Sequence, residues 1–533
     1  MSYQFFTARG QTPQSQPIPG RATEMVQGRA GGYHFDPGIW VMLRRCLLIG
    51  TAQNTFYADK HELTGEFTQV VQQCVVADPG RVAQEIFYAS DGRSLNNSAP
   101  LYALTLLSMG ETPAAKQAFM KIFPQVVRTG SHFYEWLSYT KALRGFGKVV
   151  RECGKGWLSQ DDVQALAYQL LKYQQRYGFS HRDALRLFHV KPPSVEHQTL
   201  YNWVVNGWEQ LPKQPSATAL EQIWWYEWLK RNPDQTKKAI AQGHLTHEMV
   251  APIGQMDEQT WKLLMLEMPI GALLRNLGSL TEIGVLRVNR QKNLKHAAMV
   301  LNDKQRLRKG RIHPIDILKA LKTYQSGGRL GRSKKTWEPV PRIIDILEKA
   351  LEMSFETVPA TGKTFLHAVD VSGSMSYYSV GSVHLTCAEI ATTMALVTAK
   401  AEKNYAIRGF STAFKDLGIT ASDSFRTALQ KTSDQNFGGT DASSVYKWAL
   451  KHRFHADVIC FWTDCESWVG TQPCQKLAEY RRKVNPNVKA IYVTLAPYKL
   501  SLVDPKDPLS WDLGGFDPTM PRLIQMIAQG DLT

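Results

Sequence analysis

The sequence predicts a multidomain chain: an α-solenoid of stacked helices followed by a doubly wound α/β unit with a parallel sheet. Three observations lead there. From about Pro37 to Leu351 apolar residues recur at three- and four-residue steps, as in Ile39-Trp40-Val41-Met42-Leu43 and Ala165-Leu166-Ala167-Tyr168-Gln169-Leu170-Leu171. After Thr361-Gly362 the rhythm changes to apolar strand-like runs alternating with helical stretches. Two of those runs end in a carboxylate, Asp370 and Asp464.

The helical part is punctuated by Asp78-Pro79-Gly80, Gly110-Glu111-Thr112-Pro113 and Lys191-Pro192-Pro193, and no β-type alternation interrupts it. Several hundred residues of short consecutive helices imply antiparallel pairs stacked in a line, although no fixed period stands out. Trp224, Trp225, Tyr226, Trp228 and Leu229 are expected to pack against a neighbouring helix rather than stack on bases. In the second part, strands are expected at 364–370, 404–410, 457–463 and 488–495, with helices near 382–402, 441–452, 474–484 and 518–528. Residues 1–32, rich in Gln, Pro, Gly and Arg, read as a flexible arm, either free or laid across the body as a strap.

Composition narrows the class. At 43% hydrophobic and 21% charged, the 533-residue chain is a folded globular protein rather than a disordered one. No apolar run approaches the ~20 residues that cross a bilayer, and no secretory signal opens the chain. Seven cysteines, none in C-x-x-C spacing, argue against a zinc site or disulfide framework and for a reducing cytoplasm. From residue 363 onward 18 Lys/Arg face 16 Asp/Glu, which leaves 45 against 31 for the first 362 residues. The basic helical part is thus the one expected to meet a polyanion.

Asp370-Val371-Ser372-Gly373-Ser374 directly follows the run Thr364-Phe365-Leu366-His367-Ala368-Val369. Three oxygen-bearing side chains on one tight loop suit a hard divalent cation that keeps some waters. Phe437-Gly438-Gly439-Thr440-Asp441 adds a hydroxyl, and Val458-Ile459-Cys460-Phe461-Trp462-Thr463-Asp464 a second carboxylate. Ligands of a parallel sheet bind beyond its carboxyl ends, where Asp370 and Asp464 both stand. Asp370, Ser372, Ser374, Thr440 and Asp464 together resemble the metal-ion-dependent adhesion site of a von Willebrand factor A domain. The resemblance implies Mg2+ or another divalent cation with a position open to a partner's acidic group.

In the helical part, the segment from Lys172 to Pro192 carries Lys172 and Arg176 at helical spacing. Ser180 and Asp183 stand as a capping box for the next helix, which His189 and Lys191 close. Basic groups at adjacent helix ends with aromatics between them can hold phosphates and stack a base. This segment resembles the Ro autoantigen, or TROVE, family of RNA-binding proteins, in the manner of its bacterial members. So do Leu266-Glu267-Met268-Pro269-Ile270-Gly271-Ala272-Leu273-Leu274-Arg275-Asn276-Leu277-Gly278, Arg311-Ile312-His313-Pro314-Ile315-Asp316-Ile317-Leu318 and Thr361-Gly362-Lys363.

That resemblance implies a ring of HEAT-like repeats over 33–360, closed by a von Willebrand A domain over 361–533. It implies a monomer that binds Y RNA on a basic outer surface and takes single-stranded 3′ ends of misfolded or damaged RNA into a central hole. A 3′→5′ exoribonuclease is an implied partner. Lys172, Arg176 and His189 match family positions that contact RNA. Two basic runs, Lys304 to Arg311 and the stretch holding Arg329, Arg332, Lys334 and Lys335, read as flexible loops that either touch RNA or keep the rim soluble. Competing readings are a metal-dependent nuclease at Asp370 and a metal-dependent protein-adhesion module. Against the nuclease, bridged two-metal sites need more carboxylates than Asp370 and Asp464 supply.

Overall fold

Polar caps start the helices where the sequence breaks. Asp78 accepts the Arg81 N–H ahead of helix Pro79–Ser90, and Thr112 accepts the Ala115 N–H ahead of Pro113–Val126. Ser194, just past the two prolines, does the same for Val195–Asn206. Each cap satisfies an N–H that the first helical turn leaves open, and proline at the first position loses no bond there. The structure, a computed structural model, describes residues 11–51, 60–209, 220–328, 336–355, 360–377, 385–433 and 438–531.

Nineteen α-helices run from Ile39–Ile49 to Pro341–Ser354 among the described residues, stacked with their apolar stripes on a shared core. Helix Glu221–Arg231 buries Tyr226 and Leu229, and Trp224, Trp225 and Trp228 pack on one another at its half-buried flank. Among the described residues no helix is long and apolar enough to cross a membrane.

Of the two readings of the N-terminal segment, free arm or strap, the described residues from 11 onward take the second. Residues 11–36 lie as a strap across the α/β unit. Strands β1 (Met25–Gln27) and β2 (Tyr33–Phe35) form an antiparallel pair. The Gln14 N–H donates to the Gly470 carbonyl and the Gln472 N–H to that of Thr12. Arg21 grips Asp504 with both terminal nitrogens, at 2.5 and 2.7 Å. A chain with this many backbone partners is held in place, whatever its composition.

Two corrections concern the helical part. It is not free of β-structure: β3 (Gln175–Arg176) and β4 (Phe179–Ser180) form a hairpin. Of the two basic runs read as loops, the first is helical over Lys304–Lys309, because Asp303 caps it by accepting the N–H groups of Gln305 and Arg306. The second, with Arg329, Arg332, Lys334 and Lys335, lies outside the described residues.

The α/β unit has β5 (Thr364–Asp370), β6 (Asn404–Phe410), β7 (Phe414–Asp416), β8 (Val458–Thr463), β9 (Lys489–Thr494) and β10 (Ser510–Gly514). Their order across the sheet is β10-β9-β8-β5-β6-β7, parallel except for the short edge strand β7. Strands buried on both faces read as continuous apolar runs, and β8 does so. Val458, Cys460 and Trp462 face one core, shared with the solenoid; Ile459 and Phe461 face the other, under Ser443–Lys451 and Pro473–Lys483. The edge strands β7 and β10 and the helix Phe425–Ser433 were not among the expected elements.

The two ends of the solenoid meet each other and the sheet. The first helix, Ile39–Ile49, lies on β10. Its Arg45, fully buried, holds Asp512 at 2.5 and 2.6 Å and donates to the carbonyls of Tyr498 and Leu500. Near the other end, Arg311 Nε donates to Asp91 at 3.0 Å across 220 residues of sequence. Lys322 to Glu389 at 2.6 Å and Lys400 to Glu352 at 2.6 Å tie the last helices to the α/β unit. The helical path is thereby closed.

Removing one partner of a buried, hydrogen-bonded ion pair strands the other charge, at a cost of about 3–5 kcal/mol. Arg45→Met is therefore expected to lower the stability of the whole chain by about that much, read from urea unfolding; a change within error would remove this contact from the closure.

Candidate metal centre and nucleic-acid interface

The chain leaves β5 for β6 on one side of the sheet and later lays β8 on the other, so the strand order reverses between β5 and β8. A crevice opens at such a point beyond the carboxyl ends. Asp370 ends β5 and Asp464 follows β8, its direct neighbour. Asp370 Oδ1 accepts the Ser372 N–H at 3.0 Å and Oδ2 accepts the Thr463 hydroxyl at 2.6 Å. Ser372 and Ser374 share a hydroxyl contact of 3.1 Å, and Asp464 Oδ1 accepts the Glu466 N–H at 3.0 Å. All are buried.

The electrostatics call for a cation. Burial, and then the charge of Asp464, pushes the Asp370 carboxyl well above its ordinary range; burial does the same to Asp464. No Lys, Arg or His pairs with either among the described residues. The Thr440 hydroxyl is buried and has no hydrogen-bond partner among the described residues, while its carbonyl accepts the N–H groups of Trp468 and Val469 in the loop after Asp464. Two carboxylates and three hydroxyls, one unsatisfied, fit a hard oxygen-seeking ion. Among the described residues no cluster of three or more His, Cys, Asp and Glu forms a metal cage, so such an ion would rely on these hydroxyls and on water.

Sequence reasoning missed the support behind this loop. Glu466, fully buried, is pushed up to about 7 by burial and by Asp464. It accepts the N–H groups of Arg29 and Ala30, each at 3.3 Å, from the N-terminal strap. The Ser467 N–H donates to His34 Nε2 at 3.2 Å, and a side chain at Gly32 would collide with the Ser467 carbonyl. No local pattern links residues 28–34 to 464–468; only the fold brings them together.

The basic segment differs from its helical reading. Helix Val163–Lys172 ends at Lys172, so Lys172 and Arg176 do not share a helix face. The cause is the next dipeptide: Tyr177 at φ 51° and Gly178 at φ 77° make the two-residue turn that matches strand twist in a hairpin. Lys172 is largely covered, with 12% of its side chain exposed, 3.1 Å from the Tyr168 hydroxyl and 3.7 Å from Glu248. Arg176 is exposed on the hairpin and Tyr177 is 54% exposed at its tip.

The capping box is present: Ser180 Oγ accepts the Asp183 N–H, and Asp183 accepts the Ser180 N–H at 2.9 Å. On helix His181–Phe188, Arg182 and Arg186 are exposed four residues apart, and His189 follows three later as a left-handed cap with Lys191 beyond it, both exposed. Arg182 and Arg186 were in plain view as an i, i+4 pair but were not singled out.

Comparison with known proteins gives consistent findings. The family model described as the TROVE domain matches residues 52–249 and 246–326, and that described as the Ro60 vWA domain matches 364–528. The RNA-binding protein RO60 of Deinococcus radiodurans is 32% identical over 532 residues, covering 98% of this chain and 99% of its own. That of Caenorhabditis elegans is 26% identical over 588 residues, covering 95% and 90%. The crystal structure of the Deinococcus radiodurans RO (RSR) protein superposes with a TM-score of 0.68 at 30% identity, over 93% of this chain and 100% of that one.

The hairpin's geometry generates a local prediction. Gly178→Ala places a Cβ in the left-handed region at a cost of about 1 kcal/mol. Urea unfolding is expected to register that loss; an unchanged midpoint would mean that the turn is not held at positive φ in solution.

Proposed function

Because this chain belongs to the Ro60 family of TROVE-domain proteins, we propose that it is a non-catalytic RNA-binding protein of RNA quality control. In this reading small noncoding Y RNAs lie on its basic outer surface. Unpaired 3′ ends of misfolded or damaged RNAs enter the hole of the closed solenoid. The observation that carries it is the patch formed by Arg176, Arg182, Arg186, His189 and Lys191, all exposed, beside the exposed ring of Tyr177. Exposed guanidinium groups that make no ion pair among the described residues, with an aromatic among them, suit phosphates and an unstacked base. The relatives, named RNA-binding proteins, support the same class of ligand.

Phosphate contacts give affinity without reading sequence. Selection among many RNAs then falls to shape: an aperture that admits one strand and rejects two. A 3′→5′ exoribonuclease would take over the ends so presented, in the cytoplasm, where the seven buried free thiols would stay reduced.

At the sheet's switch point, Asp370, Ser372, Ser374, Thr440 and Asp464 would hold Mg2+ or a similar ion, with an open position for an acidic side chain of a protein partner. Hydroxyl donors around two carboxylates support docking through one ion rather than hydrolysis by a bridged pair.

Three outcomes test this reading. A hairpin RNA with an unpaired 3′ tail is expected to bind more tightly than its blunt form and to emerge uncut; equal affinity, or cleavage, would overturn it. Arg182→Ala/Arg186→Ala is expected to weaken RNA binding and flatten its salt dependence by about one to two units on a log–log plot. Lys172→Ala should flatten it less, since Glu248 and two tyrosines already engage that ammonium. Mg2+ is expected to raise the melting temperature at about pH 8 and progressively less towards about pH 5, as protons compete for the carboxylates. Asp370→Ala should abolish that rise without changing RNA affinity; a rise that survives would move the ion elsewhere.

A further inference from the structure

Where the two ends of the solenoid meet, segments far apart in sequence surround one open cleft of about 650 Å3. Arg93 comes from the turn after Pro79–Ser90, and Lys304, Arg308 and Lys309 from the helix that Asp303 caps. Arg311 follows that helix, and Arg522 stands on the last helix of the α/β unit. Among the described residues Asp91 is the one carboxylate in the lining; it takes Arg311 at 3.0 Å and lies 3.6 Å from Arg93. Lys304, Arg308 and Lys309 are exposed and make no ion pair among the described residues.

Among the described residues six cations line the cleft with Asp91, Asp517 acts on Arg93 from behind it, and Arg311 adds to the burial that lowers two basic groups further inward. Arg128 is pushed down to about 10, by burial and then by Arg311. His132 is pushed down to about 4 by burial, then by Arg128, with Arg311 adding to it. A merely solvated basic face would let its long side chains spread apart. Here three segments fix the backbones from which they converge.

The arrangement also differs from a groove that follows a nucleic-acid backbone. Such a groove meets one charge at a time along a stripe. A cleft with guanidinium forks and ammonium groups pointing into a common space suits several phosphate charges packed together. We propose that this seam cleft binds a ribonucleotide 5′-oligophosphate, carried either by the 5′ end of an RNA or by a free nucleotide. The RNA source rests on the reading given above; the oligophosphate chemistry does not. Bound there, the anion would neutralise the contact between the first and last turns of the solenoid and so lock its closure.

The full-length protein is melted with tripolyphosphate and with ATP at constant ionic strength. One hairpin RNA is titrated in 5′-triphosphate and 5′-hydroxyl forms. Both small anions are expected to raise the melting temperature, and the triphosphorylated RNA to bind about tenfold tighter than its 5′-hydroxyl form. Arg308→Ala/Lys309→Ala, at exposed positions whose loss should leave the fold intact, is expected to remove both effects while 5′-hydroxyl RNA still binds. Arg182→Ala/Arg186→Ala should weaken both RNA forms equally and leave their ratio unchanged.

A melting shift with equal affinity for the two RNAs supports the site with a free nucleotide as its source. A melting shift in a protein that binds neither RNA supports the cleft and overturns the RNA reading instead. No shift together with equal RNA affinities, or effects that survive Arg308→Ala/Lys309→Ala, would overturn the proposal.

Discussion

Closure is the constraint on which the architecture depends. A helical repeat array buries each turn only against its neighbours, so its two end turns are left with apolar faces to cover. This chain covers both with one body. The first helix lays Met42, Leu43 and Leu47 into the core that also holds Val369, Trp462 and Ile524 of the α/β unit. Arg45 fixes where that contact sits: an arginine with no exposed surface needs its acceptors placed correctly, and Asp512 with the carbonyls of Tyr498 and Leu500 provides them. Such a group stabilises modestly when complete and costs a great deal when broken, which makes it a determinant of geometry more than of net stability.

Once the ends are joined, the sheet's own topology decides where chemistry can occur. Reversal of strand order between β5 and β8 delivers Asp370 and Asp464 to the same end of the sheet, regardless of the 93 residues between them in the chain. Each carboxylate takes hydrogen bonds from its own loop, yet no cation within the described residues offsets the pair. A fold optimised for stability alone would not place two acids so deep. Strain kept at one point of a satisfied structure is the usual sign of a site with an external ligand.

Legibility in the sequence followed the range of the interactions. The runs at Thr364–Asp370 and Val458–Thr463 were readable because a strand buried on both faces has to be apolar throughout. The Ser180–Asp183 capping box was readable because its partners lie three residues apart. The hairpin at 175–180 was lost to a Lys–Arg spacing that mimics a helix, although Tyr177-Gly178 carried the turn signal. Short edge strands such as β7 offer too few residues for alternation to register. Contacts between remote segments, such as Glu466 with Arg29 and Ala30, leave no local trace at all.

That last contact bears on how the two halves of the molecule communicate. Arg29 holds Glu62 and Glu66 of helix Lys60–Ala77, each at 2.9 Å, while its own N–H and that of Ala30 reach Glu466 beside Asp464. One strap residue is therefore bonded to the solenoid through its guanidinium and to the acidic loop through its backbone. Any change of charge at Asp464 is felt by Glu466, which shares its buried surroundings and is held up partly by it. The strap that composition marks as the least structured part of the chain is, physically, a bonded link between the basic body and the acidic loop.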